Sequence, residues 1–300
     1  MSENLSPEKI LERVANGLPP DSRKNIIVIG SLAAGHYFSR VLSHSGVRTK
    51  DVDCMIWPHA SVKVLAREVA EELIDHGWKL KNTKAYPPSY DENTAIEQLP
   101  MVRLHPAGES EWFLELLNSP NAELMQENMR YMEKLKTKYG YFALCGFKYL
   151  SLVEVEPIQT EYEISVARPQ MMALANLLHH PKIGKEKIGA TNVRRSNKDL
   201  GRVLALAYLM NEAKDEDLRL WPQEWLGALQ AKFPIEMREL ALRAGDGLRE
   251  LLVKEYDFGQ TVETCNEGLL ANYRVSARQL RLTAERLMAD VVEPFEELVR

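Results

Sequence analysis

Asp51 and Asp53, in "TKDVDCMIW", are two carboxylates one residue apart in a stretch that otherwise reads as a strand. Side chains of a strand alternate faces, so both aspartates project together while Val52 turns to the opposite face. Neighbouring carboxylates repel, and such a pair is tolerable where water solvates it or a divalent cation neutralises it. Hard oxygen donors of this kind suit magnesium bound jointly with phosphate oxygens. Upstream, "NIIVIGSLAAGHYFS" (residues 25–39) is an apolar run broken by Gly30 and Ser31. Gly30 permits close backbone approach, and exposed amides at the start of a following helix suit an anion. One segment can hold phosphate and the next its cation; two solvated aspartates at a strand start are the simpler alternative.

Gly30 and Gly35 also stand at the glycine positions of a P-loop. His36 and Tyr37, however, occupy the places where that motif needs a lysine for the outer phosphates and a hydroxyl for magnesium. A phosphotransferase of this kind needs a lysine from elsewhere. Gly-x-Gly-x-x-Gly, the dinucleotide fingerprint, does not occur.

With "VIGS" followed by a helix and then "DVDCMI", the chain resembles the nucleotidyltransferase superfamily related to DNA polymerase beta. The resemblance implies that Gly30 and Ser31 contact the phosphates of a nucleoside triphosphate and that Asp51 and Asp53 hold two magnesium ions. It also implies a third carboxylate on a later strand. Glu115 is the only charged residue of "WFLELL" and takes that place ahead of Glu154, Glu156 and Glu163. The implied reaction moves a nucleoside monophosphate to an acceptor; RNA, protein and small molecule are all compatible. Two features depart from the usual pattern: an Asp is commoner at the third position, and Ser31 to Asp51 is a longer interval than usual.

Residues 182–202, "KIGKEKIGATNVRRSNKDLGR", carry seven Lys or Arg against Glu186 and Asp199, in a chain whose net charge is −5. Ser196 reads as an N-cap, with Lys198 and Arg202 one turn apart on the helix that follows. Opposite charge both favours and steers the approach of a triphosphate or an RNA. The layout "SVARPQMMALANLL" then "RRSNKDLGRVLAL" also resembles the abortive-infection toxin type of nucleotidyltransferase. That likeness implies nucleotide-side roles for Lys198 and Asp199, a phosphate contact for Arg195, and an antitoxin as a partner.

The elements around these residues alternate early and become uniform later. Ser6 and Pro7 open a short leader helix within residues 1–24. Residues 25–168 read as a nucleotidyltransferase-like domain: a strand at "IIVI", a helix from 31 to about 43, the Asp-x-Asp strand, the amphipathic helix "SVKVLAREVAEELIDHG", a short strand at "WKLKN", and a hairpin of "MVRLH" and "EWFLELL". Residues 169–300 keep apolar spacings of three and four and read as a helical domain. The fold class expected is therefore α+β, a mixed sheet with helices followed by an all-helical part. His179 and His180 read as the end of an apolar helix before Pro181, and Tyr86 and Tyr90 as a lid or a surface connection.

The 300 residues are 45% hydrophobic and 27% charged, a globular composition. Three widely spaced cysteines give neither a zinc pattern nor a disulfide framework. A polar N-terminus and the lack of an 18-residue apolar run lead us to expect a soluble, cytoplasmic protein without membrane contact. The rival reading, of another class, is a non-catalytic protein that binds a nucleotide, an RNA or a partner on the same fold.

Overall fold

The computed structural model describes residues 4–43, 46–81, 91–109, 111–120, 130–183, 186–187, 193–213 and 217–300. Tyr86 and Tyr90 lie outside the described residues, as does most of the basic stretch before Val193. The chain is mixed α+β and divides into two units: Met1–His36 with Thr49–Ala167, and Tyr37–Arg48 with Arg168–Arg300. No helix of the described residues is long and apolar enough to cross a membrane.

The first unit is built on a mixed sheet. Its strands are β1 (Ile26–Val28), β2 (Asp51–Ile56), β3 (Lys79–Leu80), β4 (Arg103–His105), β5 (Phe113–Asn118), β6 (Arg130–Thr137), β7 (Gly140–Phe147), β8 (Ile158–Gln159) and β9 (Ser165–Val166). Their order is β8-β9-β1-β2-β5-β4-β3, and β7 pairs with both β5 and β6. β5 is the hub: its first half takes β4 antiparallel, its second half takes β7 parallel, and its other edge takes β2 parallel. β1 is fully buried, as its unbroken Ile-Ile-Val run requires.

Helix α1 (Pro7–Asn16) starts at Ser6, whose Oγ accepts from Lys9 N, and buries Ile10, Leu11, Val14 and Ala15. It ends at Gly17, where a Cβ would meet Leu73 at 2.8 Å and Trp78 at 2.9 Å, so the leader packs onto this unit. The next helix, α2 (Gly30–Tyr37), stops well short of residue 43; residues 38–43 are turns, and Ser43 has a φ of 50°. α3 (Val62–Asp75) buries Val62, Ala66, Val69, Ala70 and Leu73 and packs on β2 and β6.

The second unit's helices are α4 (Pro169–Ile183), α5 (Arg195–Glu212), α6 (Trp221–Lys232), α7 (Met237–Arg243), α8 (Asp246–Val253), α9 (Glu255–Glu267), α10 (Ala277–Leu287) and α11 (Glu293–Glu297). Trp221, Trp225 and Phe295 pack in its interior, Trp225 edge-to-face with Phe295, and Trp225 Nε1 donates to Gln170 O at 2.9 Å. Two local expectations are corrected here. α4 runs through Pro181 to Ile183, because an internal proline removes one backbone donor without necessarily ending the helix. α5 begins at Arg195 with Arg194 as its N-cap, so Ser196 lies inside the first turn, buried, and does not cap it.

Candidate functional site

β2 carries the two aspartates at its entrance, and its burial follows the alternation: Asp51 and Asp53 half-buried, Val52 and Cys54 fully buried. Parallel pairing sets Asp51 opposite Phe113 and Asp53 opposite Glu115. Asp53 and Glu115 therefore project from one face of adjoining strands about 5 Å apart. Leu114 and Leu116 turn to the other face with Val52 and Cys54, all buried. Thr49 Oγ1 donates to Asp51 Oδ1 at 2.7 Å and so fixes that carboxylate.

The Gly30 turn is bound to the same strand, since Ile29 N donates to Asp53 O at 2.9 Å. Gly30 has a φ of 72°, in the left-handed region that L side chains avoid. A Cβ there would lie 3.2 Å from Asp53 Oδ2, and beyond the turn and helix that carry Gly30 no other atom of the described residues comes within 4 Å. Glycine thus keeps open the space beside the carboxylate that a side chain would fill. Ser31 is the second residue of α2 and is half-buried.

Glu115 is only 8% exposed and is held by Arg103, its partner in the β4–β5 register. Arg103 Nε donates to Oε2 at 2.9 Å and Nη2 to Oε1 at 3.3 Å, a bidentate pair. One strand further, Lys81 N donates to Arg103 O at 2.8 Å, and the Lys81 ammonium sits 3.3 Å from the centre of the Phe113 ring. Burial, chiefly, then the Arg103 charge push the Lys81 pKa down, while Asp51 and Glu115 pull it up. His105 is lowered by burial and by Lys81 and Lys79. Across one face of the sheet the order is the Gly30 turn, Asp51 and Asp53, Glu115, Arg103 with His105, and Lys81 with Lys79.

Arg103 and Lys81 were not anticipated from the sequence. The signal was there: "VRLH" and "WKLK" each place two basic residues at a spacing of two, on one strand face. Glu154, Glu156 and Glu163 do not compete with Glu115, because Glu154 ends a 3-10 turn and the other two are loop residues with φ of 47° and 62°. Among the described residues, no group of three or more His, Cys, Asp or Glu is arranged to hold a metal ion. Asp51 and Asp53 lie on one face of β2, whereas both Glu115 oxygens already accept from the Arg103 guanidinium, which competes with a cation there.

Arg195, Lys198 and Asp199 belong to the second unit; Gly30, Ser31, Asp51, Asp53 and Glu115 belong to the first. On α5, Arg195 Nε is 3.9 Å from Glu186 Oε2, Lys198 is half-buried, and Asp199 accepts from His179 Nδ1 at 3.1 Å. His179 is therefore a structural partner of Asp199 as well as a residue of the last turns of α4.

Comparisons with protein-family models, with curated proteins and with solved structures find no match to this chain.

Proposed function

We propose that the chain is a magnesium-dependent nucleotidyltransferase that moves a nucleoside monophosphate from a nucleoside triphosphate to an acceptor hydroxyl. The observation that carries this reading is the register that puts Asp53 beside Glu115, with the open Gly30 turn bonded to the same strand. The acceptor oxygen bonds to the α-phosphorus, the α–β anhydride bond breaks, pyrophosphate leaves and the hydroxyl proton passes to solvent. Gly30 and Ser31 receive the triphosphate at the start of α2. Asp51 and Asp53 are the residues that would hold magnesium, and Glu115 on the adjoining strand would be the third carboxylate in competition with Arg103. Bound magnesium supplies charge neutralisation at the phosphates and activation of the acceptor oxygen. Arg195, Lys198 and Asp199 are retained as nucleotide-side residues, and an antitoxin as a partner, on the sequence resemblance alone.

The alternative, a non-catalytic binding protein, is favoured by one observation: both Glu115 oxygens are engaged by Arg103. The two separate by transfer of label from nucleoside triphosphates radiolabelled at the α-phosphate, offered with magnesium, total RNA and cell protein. Label transferred by the wild type and reduced by about 100-fold or more in D53N supports the enzyme. No transfer supports the binding reading, and equal transfer by both proteins rejects the assignment of the site to Asp53.

A further inference from the structure

The carboxylate face ends in a strip of basic side chains, the cations Lys79, Lys81 and Arg103 beside the His105 imidazole. Register places Lys79 opposite His105, and the backbone bond from Lys81 N places Lys81 opposite Arg103. The two rungs are about 6.6 Å apart along the strands, comparable with the separation of successive phosphates in an extended nucleic-acid strand. Lys81 makes no ion pair among the described residues; its ammonium rests on the Phe113 ring, half-buried and facing the Arg103 charge. A cation so placed is costly until an anion arrives.

That anion is not the tail of the donor nucleotide. From the Gly30 turn on β1 to Lys81 beyond β3 the sheet takes four interstrand steps, β1-β2-β5-β4-β3, about 19 Å. A chain of three phosphates seated at Gly30 does not bridge that distance. The carboxylates lie between the two anion-binding places, where a reacting hydroxyl belongs. We infer that Lys79, Lys81, Arg103 and His105 seat the acceptor, and that the acceptor is a nucleic-acid strand gripped through its phosphodiester backbone. This rests on the nucleotidyltransferase reading above. A neutral small molecule or a protein hydroxyl gives these four groups nothing to bind.

The test measures two affinities on the full chain: a fluorescent single-stranded oligoribonucleotide by anisotropy across a salt series, and magnesium–nucleoside triphosphate by calorimetry. The variants are K79Q/K81Q and the charge-keeping K79R/K81R. The expected result is a loss of oligonucleotide affinity of about tenfold in K79Q/K81Q, with a log–log salt slope shallower by about 1.4. K79R/K81R is expected to bind as the wild type does, and nucleotide affinity is unchanged in both. Equal oligonucleotide binding by wild type and K79Q/K81Q, or none by either, overturns the inference while nucleotide binding leaves the enzyme reading standing. A loss confined to nucleotide affinity assigns the strip to the donor and overturns it too. Wild-type protein that binds no magnesium–nucleotide overturns the enzyme reading, and the acceptor role with it.

Discussion

Gly30 has a φ of 72°, and a methyl group there would press on Asp53 Oδ2 at 3.2 Å. G30A is expected to lose about 1–2 kcal/mol of stability, read from a denaturant midpoint; an unchanged midpoint would show that the turn tolerates an ordinary residue. The Arg103–Glu115 pair is a second residue-level test. Its side chains are 31% and 11% exposed, so R103Q leaves a largely buried carboxylate without its donor. We expect R103Q to cost about 1–3 kcal/mol, with part recovered in R103Q/E115Q. R103Q should also bind manganese more tightly than the wild type in calorimetry, because the guanidinium charge no longer competes for Glu115; weaker binding would exclude Glu115 as a ligand. The aspartates were legible from their own sequence: a spacing of two in an apolar strand fixes a shared face. Glu115 was legible as a lone charge between leucines. Its partner was not, since nothing local says that the strand bearing Arg103 pairs in that register.

At the scale of elements, periodicity found the Asp-x-Asp strand, the hairpin of β4 and β5, and α3, all of which have strong local patterns. It missed endings. α2 stops at Tyr37, α4 continues through Pro181, and α5 starts before Ser196, because packing outweighs a single proline or serine at a helix terminus. Helix crossings are invisible in one dimension for the same reason. In the second unit Gly247 on α8 faces His180 on α4 so closely that a Cβ would lie 1.9 Å from His180 Nε2. G247A must displace the buried His180 imidazole, and is expected to cost about 1–3 kcal/mol. A midpoint equal to that of the wild type would mean that the crossing is loose.

For the whole molecule, the net charge of −5 hides a local arrangement in which acids and bases lie side by side on one sheet face. Its response to pH near neutrality is set by histidines held below their ordinary value, half-buried His36, buried His180 and His105 on the sheet face. His36 and His180 are both held below their ordinary 6.5, first of all by burial, and each has a buried Nδ1 with no hydrogen-bond partner among the described residues. A depressed histidine is neutral in the folded chain, while the unfolded chain takes up the proton first. Stability is therefore complete above about pH 6.5 and declines as pH falls through and below that value. Denaturant midpoints at about pH 7.5 and about pH 5.5 should show the fall; a flat profile would contradict it. The central claim is that Asp51 and Asp53 form the magnesium–nucleotide site, and calorimetric titration of each nucleoside triphosphate with magnesium into wild type and D51N/D53N tests it most directly. The account predicts magnesium-dependent binding by the wild type that is lost in the double variant while its melting temperature holds. Binding that survives in D51N/D53N, or that is missing from the wild type, would contradict it.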